Sequence, residues 1–283
     1  MTKTARILAQ GDELTTGATV DTNSAWLAER LFERGVRVLG TASAPDDLEL
    51  LTKLLLDASR DSDLLVSTGG LGPTTDDVTT EAAGRALGVP LVESAEALEQ
   101  VRDRFRVIGR PMTPSNVKQA LLPQGAELLE NPAGTAPGFA IDLGAARAFF
   151  FPGVPREMRV MAGKYLLPWV EARGAGPMLR RRFHVCGVGE SMLQDRLGDL
   201  VLPDGVHLGY KTWLPFNSIV LYGEPDAAKR LEQASASVRE RLGEDLLGED
   251  EETLPLVIGR LLLERRWTLG LAESCTAGGA AAP

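Results

Sequence analysis

The densest chemistry in the chain lies in Ser67-Thr68-Gly69-Gly70-Leu71-Gly72-Pro73-Thr74-Thr75-Asp76-Asp77, directly after the apolar run Leu64-Leu65-Val66. Glycines let a backbone approach a ligand closely and adopt positive φ. Successive N–H groups exposed in such a turn form an anion-binding nest, reinforced where a helix begins next. Thr68, Gly69, Gly70, Gly72 and Thr74 are therefore candidate phosphate-binding residues. The competing reading is a tight turn that holds nothing. No Lys-Ser/Thr follows, so this is not a Walker loop. A Gly70→Val side chain is expected to fill ligand space and leave the core alone.

Asp76 and Asp77 would repel a phosphate unless a cation bridges them, which points to a hard, oxygen-liganded ion such as Mg²⁺. Alternatively they are acidic residues favoured at a helix N-terminus. Gly11-Asp12-Glu13-Leu14 and Asp21-Thr22-Asn23 follow another apolar stretch. Asp21 and Asn23 are candidate ligand residues, although Asp21 reads equally well as a helix cap. Pro152-Gly153-Val154-Pro155-Arg156-Glu157 repeats the pattern after Ala148-Phe149-Phe150-Phe151. That adds Pro152, Gly153, Pro155 and Glu157. Three such loops at one sheet edge make a pocket.

Composition narrows the options. A hydrophobic fraction of 44% and a charged fraction of 24% are those of a globular protein. The net charge of −9 argues against nucleic acid as a partner. Arg180-Arg181-Arg182 is the one basic run, and it reads as the start of a strand. Two histidines, His184 and His207, and two cysteines exclude a His-based metal centre or a Ser-His-Asp triad in the first domain. No run approaches the length of a membrane span. A cytoplasmic protein with a small-molecule nucleotide substrate, no membrane partner and a homodimeric assembly is expected.

The elements that must position these residues alternate. Strands are expected at 5–10, 36–39, 64–66 and 148–151, with helices from Asn23, from Pro45, over 79–87 and 94–108, and from 156 to 170. Strand–helix alternation implies a mostly parallel sheet. After Gly174-Ala175-Gly176-Pro177 the order is strand 178–186, helix 190–199, strands 206–212 and 217–223, helix 226–242 and strand 245–248. That is the split βαβ order of a ferredoxin-like α+β domain. A helix over 254–265 and a strand over 268–272 would start a third unit. The expected domains are 1–173, 177–250 and 253–283.

Taken together, Gly-Asp-Glu-Leu (11–14), Asp-Thr-Asn (21–23), Pro-Asp-Asp (45–47), the 68–77 loop, Gly-Thr-Ala-Pro-Gly-Phe (134–139), Pro-Gly-Val-Pro-Arg-Glu-Met (152–158), Gly-Val-Gly-Glu-Ser (187–191) and Ala-Glu-Ser-Cys-Thr (272–276) resemble the CinA (competence/damage-inducible protein A) family. The resemblance implies a three-layer first domain of the MoaB/Mog, molybdopterin-binding type. It also implies metal-dependent hydrolysis of ADP-ribose to AMP and ribose 5-phosphate. Asp46, Asp76 and Asp77 would hold Mg²⁺, Mn²⁺ or Co²⁺, and Asp12 or Glu13 would be the base. The alternative is a molybdopterin- or nucleotide-binding protein without turnover, or one that transfers an adenylyl group. The last motif, with Ser274 as nucleophile, resembles the start of a nicotinamide mononucleotide deamidase domain. Only about thirty residues of that domain are present, so no deamidase activity is expected. Two local departures are Ala277, where a glycine usually follows, and Thr15-Thr16, where apolar residues are common.

Overall fold

The computed structural model describes residues 4–173, 176–213, 216–276 and 278–279. They divide into two compact units, 1–177 and 178–283. The Gly174-Ala175 linker, Ala277 and the final four residues lie outside the described residues.

Unit 1 is built on a six-stranded sheet in the order β2-β1-β3-β8-β7-β6. Strands β1 (Thr4–Gln10), β2 (Arg37–Ala44), β3 (Leu64–Thr68) and β8 (Ala146–Phe151) are mutually parallel. β7 (Gly138–Leu143) and β6 (Glu127–Leu129) continue the sheet antiparallel. Alternation along each strand sends successive side chains to opposite faces. Leu8, Leu65 and Phe150 meet α3 (Leu48–Asp61), α4 (Thr79–Leu87) and α5 (Ala95–Val107) on one face. Ile7, Val66, Phe149 and Phe151 meet α2 (Thr22–Phe32), α6 (Pro155–Met161) and α7 (Leu167–Glu171) on the other. The result is three layers. β3 is buried along its whole length, as a strand covered on both faces must be.

Caps explain where the helices start. Asp21, Asp47 and Ser94 accept hydrogen bonds from the amides of Ser24, Leu50 and Ala97. Gly88, at φ +70°, ends α4. A one-turn helix α1 (Asp12–Thr15) and a small antiparallel pair, β4 (Leu91–Glu93) with β5 (Leu121–Pro123), complete the unit. The helix expected over 156–170 is observed with a π-helical stretch, Ala162–Leu166, between α6 and α7.

Unit 2 has the element order β9 (Leu179–Cys186), α8 (Glu190–Leu197), β10 (Val206–Trp213), β11 (Phe216–Gly223), α9 (Ala228–Leu242), β12 (Leu246–Glu249). The sheet runs β10-β11-β9-β12 and every pairing is antiparallel, which is the ferredoxin-like arrangement. Phe183, Val185, Ile219 and Leu221 face α8 and α9. The arginine run belongs to β9. Arg181 pairs with Asp250 at 2.7 Å and Arg182 with Glu251 at 3.5 Å. His184 bridges the Ser218 hydroxyl and the Asp250 carbonyl. Helix α10 (Leu254–Arg265) follows. The strand expected over 268–272 does not form: those residues are exposed and carry no ladder partner. Among the described residues no helix is long and apolar enough to cross a membrane.

Candidate functional site

The chain leaves β1, builds α2 on one face and returns in β2. It then crosses in α3 on the other face and enters β3 on the opposite side of β1. The carboxyl ends of β1 and β3 thus form a topological switch point, where open α/β sheets bind ligands. A cleft of about 510 Å³ opens there.

Four loops line it. The loop after β1 contributes Glu13, Asp21 and Asn23, and the loop after β2 contributes Asp46. Thr68, Gly69, Gly70 and Gly72 line it from the glycine loop, followed by Asp76 and Asp77. Pro152, Gly153, Pro155 and Glu157 close the far wall. Asp12 and Thr74 are the two candidate residues that do not line it.

Glycine is required by crowding in this loop. Gly69 and Gly70 have φ of +100° and +66°. A Cβ on Gly69 would strike the backbone oxygen of Gln10, and one on Gly70 would strike the Gln10 amide and the Thr79 hydroxyl. A side chain at Gly70 therefore collides with buried groups behind the loop instead of filling the cleft. That corrects the expectation for Gly70→Val. The Gly69 amide donates to the Phe151 carbonyl at 3.0 Å, locking the loop to β8. The amides of Gly70, Leu71 and Gly72 donate to no protein acceptor among the described residues.

The acidic residues are held by local hydrogen bonds. The Asp12 amide donates to Asp46 Oδ2 at 3.2 Å, and the Asp46 amide returns a bond to Asp12 Oδ1 at 3.0 Å. Each carboxylate thus caps the other's loop. Asp77 Oδ2 accepts from the Thr74 amide (2.8 Å) and hydroxyl (2.6 Å). The nearby Thr74 hydroxyl dipole, then its own backbone amide, then the charge of Lys118, hold the Asp76 carboxyl below the usual range. Lys118 itself donates to the Thr74 carbonyl. Asp21 both caps α2 and lines the cleft.

Asp46, Asp76 and Asp77, the expected metal set, share one cleft. Yet no three His, Cys, Asp or Glu groups come together to hold an ion among the described residues. Asp46 accepts from the Gln10 side chain and the Asp12 amide, and Asp77 from the Thr74 amide and hydroxyl. Six carboxylates line the cleft, and no lysine or arginine does.

Two residues at the site, Gln10 and Asn131, carry no motif signal. Gln10 is 4% exposed, and its Nε2 donates to Asp46 Oδ1 (2.6 Å) and the Asp76 carbonyl (3.2 Å). Its Oε1 accepts from the Thr79 hydroxyl. Asn131 is fully buried and uses every group: Nδ2 donates to the Ala136 carbonyl and Glu157 Oε2, and Oδ1 accepts from the amides of Ala133 and Gly134. It shapes the 131–136 turn that carries Thr135 and Ala136 to the cleft. Asn23 Nδ2 donates to the Gly153 carbonyl at 2.7 Å, joining the near and far walls.

Comparison with known proteins agrees with this architecture. The family described as "Probable molybdopterin binding domain" matches residues 6–172. A CinA-like protein of Desulforapulum autotrophicum is 40% identical over 96% of this chain and 67% of its own length. One from Shewanella woodyi is 41% identical over 96% of this chain and 65% of its own. The chain thus spans about two thirds of the length of these relatives. Among solved structures, the protein CinA from Thermoplasma acidophilum matches at 34% identity with a TM-score of 0.56, covering 60% of this chain and 98% of that one. With a three-layer first unit, a glycine-loop cleft at its switch point and identity at this level along nearly its whole length, the chain belongs to the family of CinA-like proteins.

Proposed function

We propose that the cleft of unit 1 binds a phosphorylated heterocycle of the molybdopterin or nucleotide class, with its phosphate on the amides of Gly70, Leu71 and Gly72. One observation carries this reading. Three consecutive backbone donors face no protein acceptor at the switch point of the sheet, where the fold presents a ligand. The volume suits a ligand of that size, since small-molecule sites span roughly 300–1,000 Å³. The family description of residues 6–172 supports the same class.

A second reading, metal-dependent hydrolysis of ADP-ribose, is favoured by the charge of the lining. Six carboxylates against a diphosphate call for a cation, and the donor set does not form a resident metal site. The cation would arrive with the diphosphate. Titration calorimetry with molybdopterin and with ADP-ribose, each with and without Mg²⁺, tests the first reading. Saturable binding of at least one is expected, and binding of neither to folded protein would overturn it. AMP released from ADP-ribose with Mg²⁺, Mn²⁺ or Co²⁺ is the outcome the second reading requires. Binding without AMP under any of the three ions leaves a binding protein.

A further inference from the structure

We infer that Gln10 is the positioning residue of this cleft: its neutral side-chain amide sets the Asp46 carboxylate and the glycine loop as one unit, and ligand affinity depends on that linkage. The inference rests on the binding reading above. Gln10 is the last residue of β1, at the switch point itself. Its orientation is determined by chemistry, because the Asp46 carboxylate and the Asp76 carbonyl are both acceptors and only Nε2 can face them. Oε1 then faces the Thr79 hydroxyl, whose oxygen also lies 2.9 Å from the Gly69 carbonyl.

One side chain therefore contacts the loop after β2, both ends of the glycine loop and the first residue of α4. Asp46 is fixed on its other oxygen by the Asp12 amide, so its direction is set from two sides. The spacing of the amides at 70–72 is set by Gly70 lying directly on the same Gln10 amide. A buried amide whose partners are removed pays its full desolvation cost, so this network forms whole or fails. In a cleft lined by six carboxylates and no lysine or arginine, Gln10 supplies an N–H to Asp46 without adding charge.

A Gln10→Glu variant turns this into a pH experiment. The 2.6 Å gap to Asp46 Oδ1 is also the length of an O–H···O⁻ bond. A protonated Glu side chain can donate to Asp46 and still accept from Thr79. An ionised one places like charge against Asp46 and the Asp76 carbonyl. Two carboxylates sharing one proton titrate as a pair, with one step raised. The other charged groups nearby are Asp12, Asp76, Asp77, Glu13 and Lys118.

ADP-ribose and molybdopterin are each titrated into wild type and Gln10→Glu at pH 5.5 and pH 8. The result is read as the ratio of variant to wild-type Kd, so that ionisation of the ligand cancels. At pH 8 the variant should bind at least about tenfold more weakly, recovering to within about threefold at pH 5.5. Gln10→Met, neutral and without donors, should be weak at both. A ratio that does not change with pH marks Gln10 as packing only, and an unaltered affinity at pH 8 also overturns the inference. If Gln10→Glu does not fold, Thr79→Val should weaken binding several-fold and Thr79→Ser should restore it. Unchanged binding in Thr79→Val is again fatal. Failure of both ligands to bind wild type is a different result: the binding reading falls, and this inference falls with it.

Discussion

Two turns in this molecule look alike in sequence and differ in why they need glycine. In unit 1, Gly69-Gly70-Leu71-Gly72 joins β3 to α4. In unit 2, Gly187-Val188-Gly189 joins β9 to α8. Both follow a strand and precede a helix. In the first turn, Cβ atoms at Gly69 and Gly70 would overlap Gln10, and one at Gly72 would come within 2.5 Å of the Asp77 carboxylate. In the second, a Cβ at either glycine meets nothing within 4 Å. Gly187 has φ +74°, whereas Gly189 has φ −69° and ψ 152°, open to any residue. Crowding behind the glycine loop and a dihedral alone are thus two separate causes under one letter, and at Gly189 neither applies. Only the first accompanies a cleft.

Alanine substitutions along this series can break the comparison. Gly70→Ala carries both penalties: a left-handed φ costs a non-glycine roughly 1–2 kcal/mol, and overpacking about 1–3 more. A loss of about 3 kcal/mol in urea unfolding is expected, together with loss of ligand binding. Gly187→Ala carries the dihedral cost alone and should lose about 1 kcal/mol. Were the two losses equal, crowding at Gly70 would not be real and the contrast would collapse. Gly189→Ala sits in permitted backbone and open space. Gly189 is also the N-cap of α8, where alanine is disfavoured, so that cost offsets the gain from a less free unfolded chain and a net change within about 0.5 kcal/mol is expected. A loss of about 2 kcal/mol or more there would reveal a contact that Gly189 makes and the geometry above does not contain.

What could be read from the sequence follows a physical division. Helices with caps and strands buried on both faces announce themselves by period and by punctuation, as at Asp21, Asp47 and Ser94 or in Leu64-Leu65-Val66. Three-residue strands such as β4, β5 and β6 have no period to detect. The stretch 268–272 has the composition of a strand but exposes Leu269 and Leu271 and pairs with no strand among the described residues. At the site, glycines and carboxylates drew attention because their chemistry is local. Gln10 did not, because a lone amide at a strand end acquires meaning only when Asp46, Asp76 and Thr79 arrive from elsewhere in the chain. The reciprocal capping of Asp12 and Asp46 was hidden for the same reason, and it gives both residues an architectural task besides any part in chemistry.

The parallel pairing of β3 with β8 has a consequence for how the cleft comes into being. Thr68 and Phe151 are ladder partners separated by about eighty residues of chain. The Gly69 amide takes its acceptor from that same Phe151. Such distant pairings close slowly, since the loop entropy is lost before the contact repays it. On a ribosome, β1, β2 and β3 can be complete while the glycine loop still lacks its anchor and the far wall, 152–157, does not yet exist. The cleft is thus among the last parts of unit 1 to form, and a nascent chain ending before β8 carries nearly every glycine and carboxylate of its lining without the cleft itself.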